Sequence, residues 1–261
     1  MSWTWNQAVS PLTTDANVNA IINPNSITYN YELPYQNYID FSFDPTQATG
    51  AATNASALSS LQQQCVRNAL SYVHSVTGIN FNEIPAGSSQ PQELVFVYAD
   101  STGKDVNGNT APEGVFTEYP AVTTDASGNI TTLDIKNTIA FSTQYDYMNN
   151  LQAGGRGYEQ LLQGIGQALG MKTPDIGVLT SGLDTNASTL MSENYNGTGY
   201  TAYQTLDIKA LNWLYGGDGL LGQYGLTLNS NGVPVANGGP PGGITVGSVP
   251  YSNSQVLAQT T

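Results

Sequence analysis

Residues 158–169 constrain what this 261-residue chain can fold into more than any other stretch. Leu161, Leu162, Ile165 and Leu169 fall three and four positions apart, the spacing of one apolar helix face. Gly170 and Pro174 follow as stop signals. Yet Gly164 and Gly166 lie inside the same segment, and an interior glycine costs ~1 kcal/mol relative to alanine. Such a helix cannot be held by its own propensity. It has to be held by packing of the four apolar side chains, so the rest of the chain must supply a core around it.

That core is legible elsewhere. Residues 54–77 predict a longer helix, with Leu58, Leu61, Cys65, Ala69, Val73 and Val76 as one apolar stripe and Gly78 as the stop. Residues 205–215 predict a third helix, ended by Gly216 and Gly217, and residues 15–22 a short helical turn ended by Asn23 and Pro24. Strands are predicted at 26–31, 38–43, 79–84, 94–98 and 138–142, and a hairpin with a glycine-containing turn at 123–131. Residues 100–110 read as a loop. Strands come first and helices are few and separated, which predicts an α+β fold rather than a doubly wound sheet.

Charge narrows the function. Only 10% of residues are charged, against about a quarter in a typical chain, and 6 Lys+Arg face 19 Asp+Glu for a net charge of −13. Six scattered cations cannot displace the counterions of a nucleic acid, nor bind an anionic membrane surface. No apolar run is long enough for a transmembrane helix. With 39% apolar and 10% aromatic residues, the chain is not a disordered acidic one. A single cysteine, Cys65, excludes an internal disulfide framework and a Cys-rich zinc site, and a single histidine, His74, excludes a multi-histidine metal site. Cys65 is expected in the core, and His74 on a partly exposed helix face. After Asp218 the chain carries no charge and is rich in Gly and Pro. We read two parts: a domain over 1–218 and an extension over 219–261, with β-prone pieces at 226–228, 244–246 and 255–257. No nonapeptide calcium repeat recurs there.

The segment running from Tyr158 through Gln163, Gly164, Ile165, Gly166, Gln167, Ala168, Leu169 and Gly170 to Thr173 and Pro174 resembles the zinc helix of the serralysin-type metzincin proteases. Their motif is H-E-x-x-H-x-x-G-x-x-H. The frame residues Ile165, Gly166, Ala168, Leu169, Gly170 and Pro174 match. The three histidine positions hold Gln163, Gln167 and Thr173, and the general-base position holds Gly164. Ser188 to Ser192, around Met191, resemble the family's Met-turn beneath the metal; where the family has a tyrosine two residues after that methionine, this chain has Glu193. Residues 205–216 resemble the closing helix, with Asp207, Ile208, Ala210, Leu214, Tyr215 and Gly216 matching. The likeness covers roughly residues 12–216.

The resemblance implies a metzincin-like domain: a twisted, mostly antiparallel or mixed sheet, two long helices and a closing helix, followed by the Gly/Pro-rich extension. It implies Met191 packed beneath a vestigial site made of Gln163, Gly164, Gln167, Thr173, Met191 and Glu193. Catalytic zinc needs three good ligands and a base beside its water. Amides, a hydroxyl and a glycine do not supply these, so no catalytic residue, no zinc and no other cofactor is expected. Calcium has thin support: Asp105, Asn107 and Asn109 place oxygens at alternate positions, but the sixth-position glycine and closing glutamate are missing.

The expected role is non-enzymatic: a secreted structural or self-assembling component of a bacterial surface layer, filament or extracellular matrix. The partner is another copy, as homo-oligomer or polymer, or another extracellular protein. Assembly candidates are Trp3 and Trp5 near one end and Tyr251, Val256 and Leu257 near the other. The alternatives are a peptide- or protein-binding module that uses the vestigial cleft, with Gln163 and Gln167 offering amides, and a residual hydrolase. The family is exported without an N-terminal signal peptide, and residues 1–6 lack the basic and apolar segments of one. Sequons at Asn54, Asn129, Asn186 and Asn196 carry no meaning in a bacterial protein.

Overall fold

A computed structural model describes residues 15–22, 38–48, 52–90, 92–101, 115–117, 121–124, 130–134, 137–215, 226–228 and 234–236. Trp3, Trp5, Tyr251, Val256 and Leu257 lie outside the described residues, as do the strand expected at 26–31, Asp105, Asn107 and Asn109, and the pieces at 244–246 and 255–257.

The described elements run α1 (Ala16–Ile21), β1 (Tyr38–Ser42), β2 (Ala52–Ser56), α2 (Ser60–Thr77), β3 (Asn80–Glu83), β4 (Leu94–Ser101), β5 (Val115–Thr117), β6 (Ala121–Thr124), β7 (Ile130–Asp134), β8 (Asn137–Ser142), α3 (Arg156–Ala168), α4 (Thr205–Tyr215), β9 (Leu226–Leu228) and β10 (Pro234–Ala236). The fold is α+β, with few helices and a mixed, open sheet in the order β3-β1-β4-β8-β5. β3, β1, β4 and β8 pair in parallel; β5 joins β8, and β2 joins the far half of β4, both antiparallel. The sheet is therefore mixed with a parallel centre, not mostly antiparallel. The cause is the crossover from β1 through α2 to β3, which returns the chain to the end of the sheet from which it started. β6 and β7 form the expected hairpin, and β9 and β10 a separate antiparallel pair.

Parallel strands are covered on both faces, and β4 shows it. Leu94 and Phe96 belong to the main core, with Phe41, Phe43, Ile139, Phe141 and the apolar faces of the helices. Val95, Val97 and Ala99 belong to a second, smaller cluster with Ala140, against which Ala48, Ala52 and Ala55 pack.

The long helix starts later than residue 54. Residues Ala52–Ser56 are strand β2, and Ser59 caps α2 in a reciprocal box: its side chain accepts from the Gln62 N–H, and Gln62 Oε1 accepts from the Ser59 N–H at 2.9 Å. This start sets which face is buried. Gln62, Cys65, Val66, Ala69, Leu70 and Val73 turn inward, whereas Leu61, counted in the apolar stripe, is 60% exposed. The other end follows expectation, with Gly78 in the left-handed conformation at φ 76°. Cys65 is buried, and burial pushes its thiol pKa up. His74 is exposed, with Nδ1 2.8 Å from the Ile79 carbonyl.

Candidate functional site

α3 carries the site. Leu161, Leu162, Ile165 and Leu169 are fully or almost fully buried, so packing does hold this glycine-bearing helix. Side chains from elsewhere add to it. The Tyr203 hydroxyl donates to the Leu162 carbonyl at 2.8 Å, and the Tyr215 hydroxyl to the Leu169 carbonyl at 2.5 Å at the helix end. Burial raises the pKa of both tyrosines, so they stay protonated donors. Just beyond α3, the Lys172 N–H donates to the Ile21 carbonyl at 2.8 Å, joining the helix exit to α1.

Gly166 shows why the frame needs a glycine. A β-carbon there would lie 2.5 Å from the Met171 methyl, 3.0 Å from the Met191 methyl and 3.3 Å from the Tyr203 hydroxyl. Met191 thus packs directly against α3, one residue from Gln167. It is fully buried.

Gln163 and Gln167 lie one turn apart on α3, both buried. Gln160 Nε2 donates to Gln163 Oε1 at 2.5 Å. Gln167 Nε2 reaches Thr173 Oγ1 at 3.5 Å, the long limit of a hydrogen bond. The structure therefore brings Gln167 and Thr173 into contact, with Gln163 on the same face one turn earlier. Gly164 is buried between them. Glu193 joins none of these: its side chain is exposed and bonds to no described residue. Two carboxamides and a hydroxyl do not fit zinc, which takes imidazole, thiolate or carboxylate. Nor does any of the three gain or lose a proton near neutral pH. Among the described residues, no three His, Cys, Asp or Glu side chains stand together as a group that could hold a metal ion.

Two buried carboxylates lie around this site, and sequence reasoning missed the role of both. Asp207, at the start of α4, accepts from the Leu190 and Gln204 N–H groups at 2.8 Å each and from the Thr189 hydroxyl at 2.5 Å. Burial pushes its pKa up to about 6 against those three bonds. Glu159, on α3, accepts from Asn186 Nδ2 at 2.9 and 3.1 Å and from the Tyr200 N–H at 3.0 Å. Its pKa is raised by burial, and the two partners and the charge of Arg156 pull the other way. The 184–200 segment is thus tied at one point to α4 and at another to α3. Asn186 is fully buried in this network, so its sequon cannot carry a glycan.

The only sequence signal for Asp207 was its match in the closing-helix pattern; Glu159 had none. No model of a known protein family matches the chain, and no curated protein matches it.

Proposed function

We propose that this chain is a non-enzymatic protein on an inactivated metzincin-type fold, and that it serves as a structural, self-assembling component outside a bacterial cell, in a surface layer, filament or matrix. The observation that carries the reading is the state of the former ligand positions. Gln163, Gln167 and Thr173 occupy the motif's spacing, and they are neutral, buried or half-buried, and bonded to neighbouring side chains. Met191 packs against the same helix at Gly166, and Asp207 secures the turn that holds it. The frame of a metalloprotease site is kept while its chemistry is replaced.

The assembly half of the reading rests on surface chemistry. Polarity comes mainly from uncharged side chains and 16 tyrosines, a composition suited to wet, hydrogen-bonded contacts. The cleft-binding alternative is weaker, because the amides it would use are buried and Gln163 Oε1 and Gln167 Nε2 already have partners.

Light scattering of the native protein across concentration, with and without calcium, tests this. Growth of particle mass with concentration is expected. A strict monomer throughout overturns the assembly reading. Zinc-dependent peptide hydrolysis overturns the non-enzymatic one.

A further inference from the structure

We infer that the guanidinium of Arg156, which lies over the rings of Tyr147 and Tyr195, is a docking point for the Glu193 carboxylate of a second copy of this chain. The inference rests on the self-assembly reading and gives it a contact.

Four basic residues lie among the described ones. Three are paired within the chain: Arg67 with Glu83 at 2.6 Å, Lys172 with Asp175 at 3.2 Å and Lys209 with Asp15 at 3.2 Å. Arg156 has no such partner among the described residues. Its guanidinium carbon sits 4.8 Å from the ring centre of Tyr147 and 4.6 Å from that of Tyr195, and it makes no hydrogen bond to a described residue. The carboxylate that feels its charge, Glu159, is buried, with Asn186 and Tyr200 on its oxygens.

The two ring contacts engage the charge of the guanidinium, and none of its N–H groups has an acceptor among the described residues. Those groups form the fork that matches a carboxylate with two parallel bonds. The two rings also fix a long side chain in advance, which lowers the ordering cost of binding. Arginine and tyrosine are the residue types that concentrate binding energy at interfaces.

A complementary group stands two residues along the chain from the Tyr195 ring that Arg156 contacts. Glu193 is exposed, two residues from Tyr195, and bonds to no described side chain. A guanidinium over the Tyr195 ring and a carboxylate two residues from it along the chain, neither bonded to a described side chain, can complement a second copy about a two-fold axis, with Arg156 of each copy meeting Glu193 of the other. Two such opposite-charge contacts, one on each side of the axis, act at short range against the repulsion between copies that each carry −13.

The test is sedimentation equilibrium of the full chain as wild type, Arg156→Gln, Glu193→Gln and the double variant. Each single variant is expected to weaken association about tenfold or more, and the double no further than either single, because both remove one interaction. Glu193 has no side-chain partner to lose among the described residues, so Glu193→Gln decides the matter if Arg156→Gln fails to fold. Wild-type association with Glu193→Gln unchanged, or losses that add in the double variant, overturns this contact and leaves the assembly reading standing. A wild-type monomer at every concentration overturns both.

Discussion

The Leu190 N–H donates to the Asp207 carboxylate across 2.8 Å, linking the turn beneath α3 to the first turn of α4. The Thr189 hydroxyl and the Gln204 N–H reach the same carboxylate, and the Met191 N–H in turn donates to Thr189 Oγ1 at 3.1 Å. One fully buried acid thereby sets the position of Met191 against Gly166. Asp207→Ala leaves the Thr189 and Leu190 donors buried without an acceptor. The expected loss is about 3–5 kcal/mol, read by urea unfolding. A loss under about 1 kcal/mol would show that water or another acceptor replaces the carboxylate.

The same residue gives a pH dependence with a definite sign. Its pKa rises from 3.8 in the unfolded chain to about 6 in the fold. Between those values the folded state holds a proton that the unfolded state has released. Stability from this group is therefore complete below about pH 4 and falls as pH rises through 6, by about 3 kcal/mol in all. Asp207→Asn keeps the shape, accepts from Leu190 and Gln204, and lets the Thr189 hydroxyl turn round to accept from the amide. The variant is expected to gain on wild type in thermal midpoint from pH 4 to about pH 6 and to hold that gain above it. Parallel pH curves for the two proteins would refute the assignment.

Gly166→Ala sets two effects against each other. Alanine favours the helix by ~1 kcal/mol over glycine. The new methyl would stand 2.5 Å from the Met171 methyl and 3.0 Å from the Met191 methyl, with the Tyr203 hydroxyl 3.3 Å away. Overpacking of this kind costs about 1–3 kcal/mol, so a net loss of about 1 kcal/mol is expected. Gly166→Leu should lose far more. A stabilised Gly166→Ala would mean that both methionine methyls swing aside freely.

The parts of this fold that sequence shows well are those fixed by periodic burial. α4 begins and ends where its apolar spacing places it, and α3 is displaced by two residues at its start and one at its end. The apolar spacing predicts α2 six residues too long, because Leu58 and Leu61 extend it. The Ser59–Gln62 capping box marks the true start, and it outweighs one apolar side chain left in water. β5 has only three residues, too few for alternation to register. Gln163, Gln167 and Thr173 were found because their spacing resembles a known motif, and Gln167 and Thr173 do meet. Asp207 and Arg156 were not, since an acid in the first turn of a helix reads as a solvated charge favoured by the helix dipole, and a lone arginine reads as surface. Only tertiary contacts give either one its role.

Installing the motif's three histidines is the sharpest test of the family reading. Residues 163 and 167 are four apart on one helix face, the arrangement that lets two histidines share a metal. The residue 173 side chain already touches that of residue 167, so a third histidine enters from outside the helix. Gln163→His, Gln167→His and Thr173→His combined should therefore create a three-nitrogen site above Met191. The expected result is one zinc retained per chain after dialysis, with a thermal midpoint that rises as zinc is added. Zinc at a hundred times its dissociation constant adds about 2.7 kcal/mol to the folded state. The wild type should show neither effect, and the Gln163→His, Gln167→His pair alone should bind much more weakly than the triple variant. Wild-type and triple variant alike in zinc content would mean that the motif's spacing is kept without its geometry, and the inactivated-protease reading would fall with it.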